Sequence, residues 1–98
     1  MFDVRAVAAA YDVGIEVVDL GDWGRATLVA EYDPHGPTIR VNARAVTRGC
    51  ADERRRAIDL AIAHELYHHR EALGEVERLR EPRARERAAD AFAFTLVR

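Results

Sequence analysis

The residues with the clearest chemical meaning are His64, Glu65 and His68, which form an H-E-x-x-H motif. On an α-helix, positions four residues apart lie about 40° apart around the axis and one turn apart along it, so both imidazoles can reach one metal ion. Glu65 lies about 100° round from His64. From there its carboxylate can accept a proton from a water molecule that the metal activates. Two neutral imidazoles and such a carboxylate are the groups that a zinc peptidase uses.

The alternative interpretation of the motif is a pair of histidines on the solvated face of a helix. The residues before it, 57–63, are mostly apolar, which indicates that the helix is largely buried. Imidazoles in a buried helix are costly unless their polar atoms find partners. Ligation of a metal would compensate that cost, so the sequence favours a metal site over a solvated face.

A catalytic zinc site needs a third protein ligand and an open fourth position. Glu86 and Asp90 lie 18 and 22 residues beyond His68 and four residues apart. On a helix that returns antiparallel, one of them can ligate and the other can hold the free N–H of a ligating histidine. On the residues alone this choice stays open, because four other carboxylates lie nearer in sequence: Glu71, Glu75, Glu77 and Glu81.

Further histidines and tyrosines are candidates for the same cleft. His69 lies four residues after Glu65 and is a candidate donor to the reacting group, the alternative being a solvent-facing side chain. Tyr67 is a second candidate for the cleft, and either Tyr67 or Tyr32 can stabilise an oxyanion or simply pack as an aromatic side chain. His35 lies in a predicted turn, where it either overhangs the site or occupies an exposed loop.

Composition excludes several other chemistries. The chain has no serine and no lysine, and all 15 of its basic residues are arginine. A serine hydrolase, an enzyme that forms a lysine Schiff base and a Walker-type phosphate site are therefore excluded. Cys50, the only cysteine, precedes a predicted helix, whose N-terminus favours a thiolate. A Cys–His hydrolase is the rival mechanism, although no His/Asn pair is recognisably placed to serve the thiol.

Charge and hydropathy indicate the compartment and the class of partner. The net charge is −2, and without a polybasic groove we expect no direct contact with nucleic acid. The arginines at 54–56 are interpreted as a solvated helix face. A single cysteine favours a reducing compartment. No apolar run approaches the length of a membrane span and the N-terminus does not resemble a signal peptide, so we expect a cytoplasmic protein with no membrane partner.

The pattern of apolar residues predicts one α+β domain over residues 1–98. Two helical segments close the chain, and a short helix opens it. The predicted helices span residues 3–12, a long segment from a cap at Asp52 to about Leu73, and a last segment from Pro82 to residue 96 or 97. Gly74 suits the position that follows a helix C-terminus, and Pro82 suits the first helical position.

Three β-branched, partly alternating segments predict a small sheet between the first and the second helix. The predicted strands span residues 15–20, 25–32 and 38–42. A turn at residues 33–37, which contains two prolines and a glycine, predicts that the second and third strands form an antiparallel hairpin. The sheet as a whole is expected to be antiparallel or mixed.

Two segments resemble a known family. AHELYHH at residues 63–69 and ERAADAFAFTL at residues 86–96 are similar to the core of the ImmA/IrrE-type metallopeptidases, which are gluzincin-like proteins. The family pattern is A-H-E-x-x-H on one helix and E-x-x-A-N/D-x-F-A-x-x-L on the next. The resemblance covers about residues 13–97, and one departure is Tyr67, where the family often has glycine.

By position, the resemblance assigns a role to each residue of the two motifs. It implies that His64, His68 and Glu86 hold one Zn²⁺ per chain and that Glu65 is the catalytic base. It also implies that Asp90 hydrogen-bonds a ligating histidine. The implied fold is a minimal zincin-like core.

The implied activity is that of a zinc-dependent metallo-endopeptidase that hydrolyses a peptide bond. The resemblance implies a regulatory protein as substrate, such as a helix-turn-helix repressor, and a setting in a phage or mobile element. An alternative function is a metal-stabilised, non-catalytic interaction module that binds a repressor or an antitoxin-like partner. A purely structural metal site has no need of Glu65, so the motif favours the enzyme.

Overall fold

The fold is α+β, with the order of elements that the sequence predicts. The computed structural model describes residues 3–21, 29–46 and 49–97. The elements in chain order are α1 (Val4–Ala10), β1 (Gly14–Val18), β2 (Ala30–Asp33), β3 (Thr38–Asn42), a 3-10 turn (Ala43–Val46), α2 (Ala51–Ala72) and α3 (Pro82–Leu96). The predicted second strand began at residue 25, and its residues 25–28 lie outside the described residues.

β3 is the central strand of the sheet, which has the order β1-β3-β2. It pairs parallel to β1 and antiparallel to β2. The predicted hairpin is therefore confirmed, and of the two sheet types left open the mixed one is found. Ile39 and Val41 alternate along β3 and are fully buried. Arg40 lies between them on the opposite face, near the carboxylates of Glu31 and Asp33.

α2 is the long helix that carries the H-E-x-x-H motif. The prediction that Asp52 caps it is wrong, because the N-cap is Cys50 and Asp52 lies within the first turn. A carboxylate there still interacts favourably with the helix dipole. The predicted C-terminus is confirmed: Gly74 has φ +76°, and the Glu75 amide donates to the Arg70 carbonyl over 3.0 Å. This is the Schellman motif, in which the residue after the C-cap has a positive φ and glycine is therefore favoured.

The core lies where α2 packs against the sheet and α3. Ile62 and Leu66 lie one turn apart on α2 and are fully buried in one cluster with Ile39 of β3 and Ala93 of α3. Because His64 and His68 are displaced from Ile62 and Leu66 by two residues, about 200° around the axis, they lie on a different face of α2. The core therefore fixes which face carries the histidines.

Among the described residues, no helix is both long enough and apolar enough to cross a bilayer.

Leu66 tests the role of this core. Its side chain is 0% exposed, whereas that of Leu73, at the end of the same helix, is 54% exposed. We expect Leu66→Ala to lower the free energy of unfolding by about 2–5 kcal/mol, since it removes buried methyl groups and leaves a cavity. Leu73→Ala is the matched control and should cost less than about 1 kcal/mol. Urea unfolding followed by circular dichroism measures both, and equal losses would contradict this packing.

Candidate metal centre

The site forms where α3 returns along α2. Polar contacts along the two helices run in opposite order: His64 meets Asp90, His68 meets Glu86, and Glu71 meets Arg85. The helices are therefore antiparallel, as expected for a third ligand on α3. The connector between them, which follows Gly74, makes this return possible.

One carboxylate faces both histidines of the motif. Glu86 Oε2 lies 2.7 Å from His64 Nε2, and Glu86 Oε1 lies 3.2 Å from His68 Nε2. The imidazole centroids are 5.1 Å apart. In the described part of the chain, these three residues form a cluster whose ligand atoms all lie within 4.8 Å of one another.

The outer nitrogen of each histidine meets a further carboxylate. His64 Nδ1 lies 2.7 Å from Asp90 Oδ1, and His68 Nδ1 lies 2.7 Å from Glu71 Oε1. An ionised carboxylate only accepts hydrogen bonds, so each Nδ1 must carry the proton and donate it. In the neutral ring with its proton on Nδ1, Nε2 carries the lone pair through which histidine binds a metal.

The donor set fits a divalent cation. Two Nε2 lone pairs and the Glu86 carboxylate are all acceptors, and acceptors brought this close together need a positive charge between them. Two imidazoles and one carboxylate are also the ligand set of many catalytic zinc sites, which leave a fourth position open. His64, His68 and Glu86 are therefore the residues that would hold Zn²⁺.

The four carboxylates that were rivals for the third ligand position lie elsewhere. Glu71 meets the outer nitrogen of His68 rather than the inner one. Glu75 accepts a hydrogen bond of 2.6 Å from the hydroxyl of Tyr11. Among the described residues, neither Glu77 nor Glu81 belongs to the cluster that can hold a metal ion. Glu71 lies three residues after His68 on the same helix, and this spacing is the sequence signal that could have predicted the contact.

Glu65 lies beside the three candidate ligands. It lines a cavity of about 500 Å³ together with His64 and Glu86, and a second cavity of about 440 Å³ together with His68 and Glu86. Burial raises the pKa of the Glu65 carboxyl, since desolvation disfavours the charged form; the two histidines oppose this shift. A carboxyl with a raised pKa next to a cavity is suited to proton transfer.

The larger cavity is mostly apolar on the side away from the histidines. That side is lined by five residues of the strand region and of α2: Val29, Ala30, Ala57, Leu60 and Ala61. The smaller cavity is lined on its strand side by Ala30, Glu31 and Tyr32. Ala30 of β2 therefore borders both spaces that open beside Glu65.

The prediction that His69 lies in the cleft is wrong, and so is its solvent-facing alternative. The residue is 4% exposed, and its Nδ1 lies 2.6 Å from the hydroxyl oxygen of Tyr32. The rings of Tyr11 and Tyr32 pack edge-on against it. A residue next to His68 lies about 100° further round the helix, and this rotation turns it towards β2 and α1.

Of the remaining candidates, Tyr32 borders the site, whereas Tyr67, His35 and Cys50 have other surroundings. Tyr67 packs against Phe92 and the edge of His68, and it is not among the residues that line the two cavities, so its predicted place in the cleft is not found. Tyr32 lines the smaller cavity. The side chain of His35 is 94% exposed at the hairpin turn. Cys50 donates to Glu53 Oε1 over 3.3 Å rather than to a histidine.

Comparison of the chain with models of protein families, with curated proteins and with solved structures finds no match. The chemistry of the site therefore follows from its own residues. The contacts of Glu86 with both Nε2 atoms are the most informative of these.

Removal of Glu86 tests its place in the ligand set. We expect Glu86→Ala to weaken zinc affinity by more than about 100-fold, beyond the loss typical of residues that only support a ligand. Glu77→Ala is the matched control, because it removes an exposed carboxylate that the sequence left open as a third ligand but that lies outside the cluster. Competition with a chromophoric chelator measures both affinities. An affinity of Glu86→Ala equal to that of the control would assign the third ligand to another residue.

Proposed function

We propose that this chain is a zinc-dependent metallo-endopeptidase that hydrolyses a peptide bond. The observation that carries the proposal is the placement of Glu65 beside three convergent ligands. His64, His68 and Glu86 supply two nitrogens and a carboxylate within 4.8 Å of one another, and Glu65 lines the cavities at their side. A site that served only to stabilise the fold would not need a partly buried carboxyl there.

Zn²⁺ bound at this site would polarise the scissile carbonyl and make water acidic enough to attack it near neutral pH. Glu65 accepts the proton of the attacking water and passes it to the nitrogen of the leaving amine. The raised pKa of its carboxyl makes Glu65 a stronger base for the first of these steps. Asp90 and Glu71 hold the outer nitrogens of the two histidines throughout.

An extended peptide is the substrate form that suits the neighbouring strand. Among the described residues, β2 forms one edge of the sheet, and edge strands present unpaired backbone groups to an added strand. Ala30 of β2 lines both cavities, so a peptide paired there passes Glu65. The apolar side of the larger cavity would take up an apolar side chain next to the bond that is cleaved.

The similarity of the two helix motifs to the ImmA/IrrE-type family supports a more specific substrate. We propose a regulatory protein of the helix-turn-helix repressor type, in a phage or mobile element. The single cysteine supports the cytoplasm as the compartment. In this proposal the chain does not bind nucleic acid itself, since its net charge is −2.

Glu65→Gln tests the catalytic role directly. The amide cannot accept the proton, so we expect kcat/KM to fall by about 10²–10⁴-fold while the zinc content stays that of the original chain. The probes are a proteome-derived peptide library and the product of the adjacent gene, with fragments identified by mass spectrometry. His35→Ala is the control and should change neither value.

Two results would contradict the proposal. Undiminished cleavage by Glu65→Gln would mean that another group is the base. If the zinc-loaded wild-type protein cleaves neither probe, yet binds the product of the adjacent gene, the non-catalytic interaction module would be favoured instead.

A further inference from the structure

We infer that the buried carboxylate of Glu71 and the partly exposed guanidinium of Arg85 form an ion pair that positions His68 for metal binding. The inference deepens the proposed function and rests on it. In the sequence, Glu71 stands out only as an alternative third ligand, and Arg85 has no assigned role.

The geometry of the pair is that of a two-point contact. Arg85 Nε donates to Glu71 Oε2 over 3.1 Å, and Arg85 Nη2 donates to Glu71 Oε1 over 3.0 Å. The same Oε1 accepts from His68 Nδ1 over 2.7 Å. The Glu71 side chain is 2% exposed. Bidentate contacts between guanidinium and carboxylate fix orientation as well as charge.

The pair links the two helices at the level of the ligands. Glu71 follows His68 by three residues on α2, so the two side chains share a face. Arg85 directly precedes the ligand Glu86 on α3 and lines the smaller cavity with it. When α3 packs against α2, it therefore places the ligand Glu86 and the ion-pair partner Arg85 at the site together.

The ion pair gives His68 one orientation. A buried carboxylate without a countercharge is strongly unfavourable, and Arg85 supplies that charge. With the carboxylate held by Arg85, its Oε1 accepts from Nδ1–H of His68, and in this orientation of the ring Nε2 faces Glu86. Asp90 makes a similar contact with His64, but its side chain is 62% exposed. The orientation of His68 is thus the more firmly held of the two.

Glu71→Gln removes the charge and keeps the size of the side chain. We expect it to weaken zinc affinity by about 10–100-fold, the usual cost of losing the partner of a ligating histidine. We also expect the Nδ1 proton of His68, seen by heteronuclear NMR in the zinc-loaded original chain, to exchange with solvent in the variant. Glu75→Gln is the matched control, because Glu75 is also hydrogen-bonded to an arginine yet lies outside the cluster. It should change neither readout.

Arg85→Met provides the second variant, since Arg85 does not contact the histidine. It should weaken zinc affinity as well. Because both substitutions act through the same contact, the zinc affinity of the double variant should be no more than a few-fold weaker than that of Glu71→Gln alone. Circular dichroism without metal verifies folding, and Arg85→Met decides the matter if Glu71→Gln does not fold. Unchanged affinity and an unchanged Nδ1 proton in a folded variant would overturn the inference. An original chain that binds no zinc would instead overturn the proposed function.

Discussion

The contact of one carboxylate with two imidazoles, between α2 and α3, is the interaction on which the rest of the site depends. Glu86 lies at hydrogen-bonding distance from Nε2 of both His64 and His68. The apolar part of α3 that is fully buried is small, chiefly Ala89 and Ala93. Phe92 and Leu96 of α3 also pack, partly buried, against the core, and the polar contacts add to this apolar packing. A cation bound among these acceptors would stabilise the docking of α3 as well as supply chemistry, since metal binding and folding are coupled when a site spans two elements.

Carboxylates of the same chemical type take different roles here because their surroundings differ. The hydrogen bonds from Arg85 hold the pKa of the Glu71 carboxyl below its usual range, so Glu71 stays charged and accepts. Burial raises the pKa of the Glu65 carboxyl, which makes it able to carry a proton. One group is thus suited to holding a histidine still, and the other to exchanging a proton with substrate. The two lie on the same helix, six residues apart.

The local part of this arrangement was predictable from the sequence, and the non-local part was not. Helical periodicity places the two histidines on one face wherever the helix packs, and Gly74 and Pro82 mark helix ends through backbone preferences of their own. The spacing of three residues from His68 is a local signal for Glu71, but the approach of Arg85, fourteen residues later, which holds its carboxylate in place, is not local. Burial of His69 depends on how α2 is rotated against the sheet. The parallel pairing of β1 with β3 likewise depends on how the chain returns.

X-ray absorption spectroscopy of the zinc-loaded chain, with the metal content measured on the same sample, tests the central claim most directly. The account predicts one zinc per chain, two imidazole nitrogens at about 2.0–2.1 Å and a carboxylate oxygen at a similar distance. Glu86→Ala should remove the carboxylate and leave the imidazoles in place. A sulfur ligand at about 2.3 Å, which would indicate Cys50, or a spectrum without imidazole, would contradict the account.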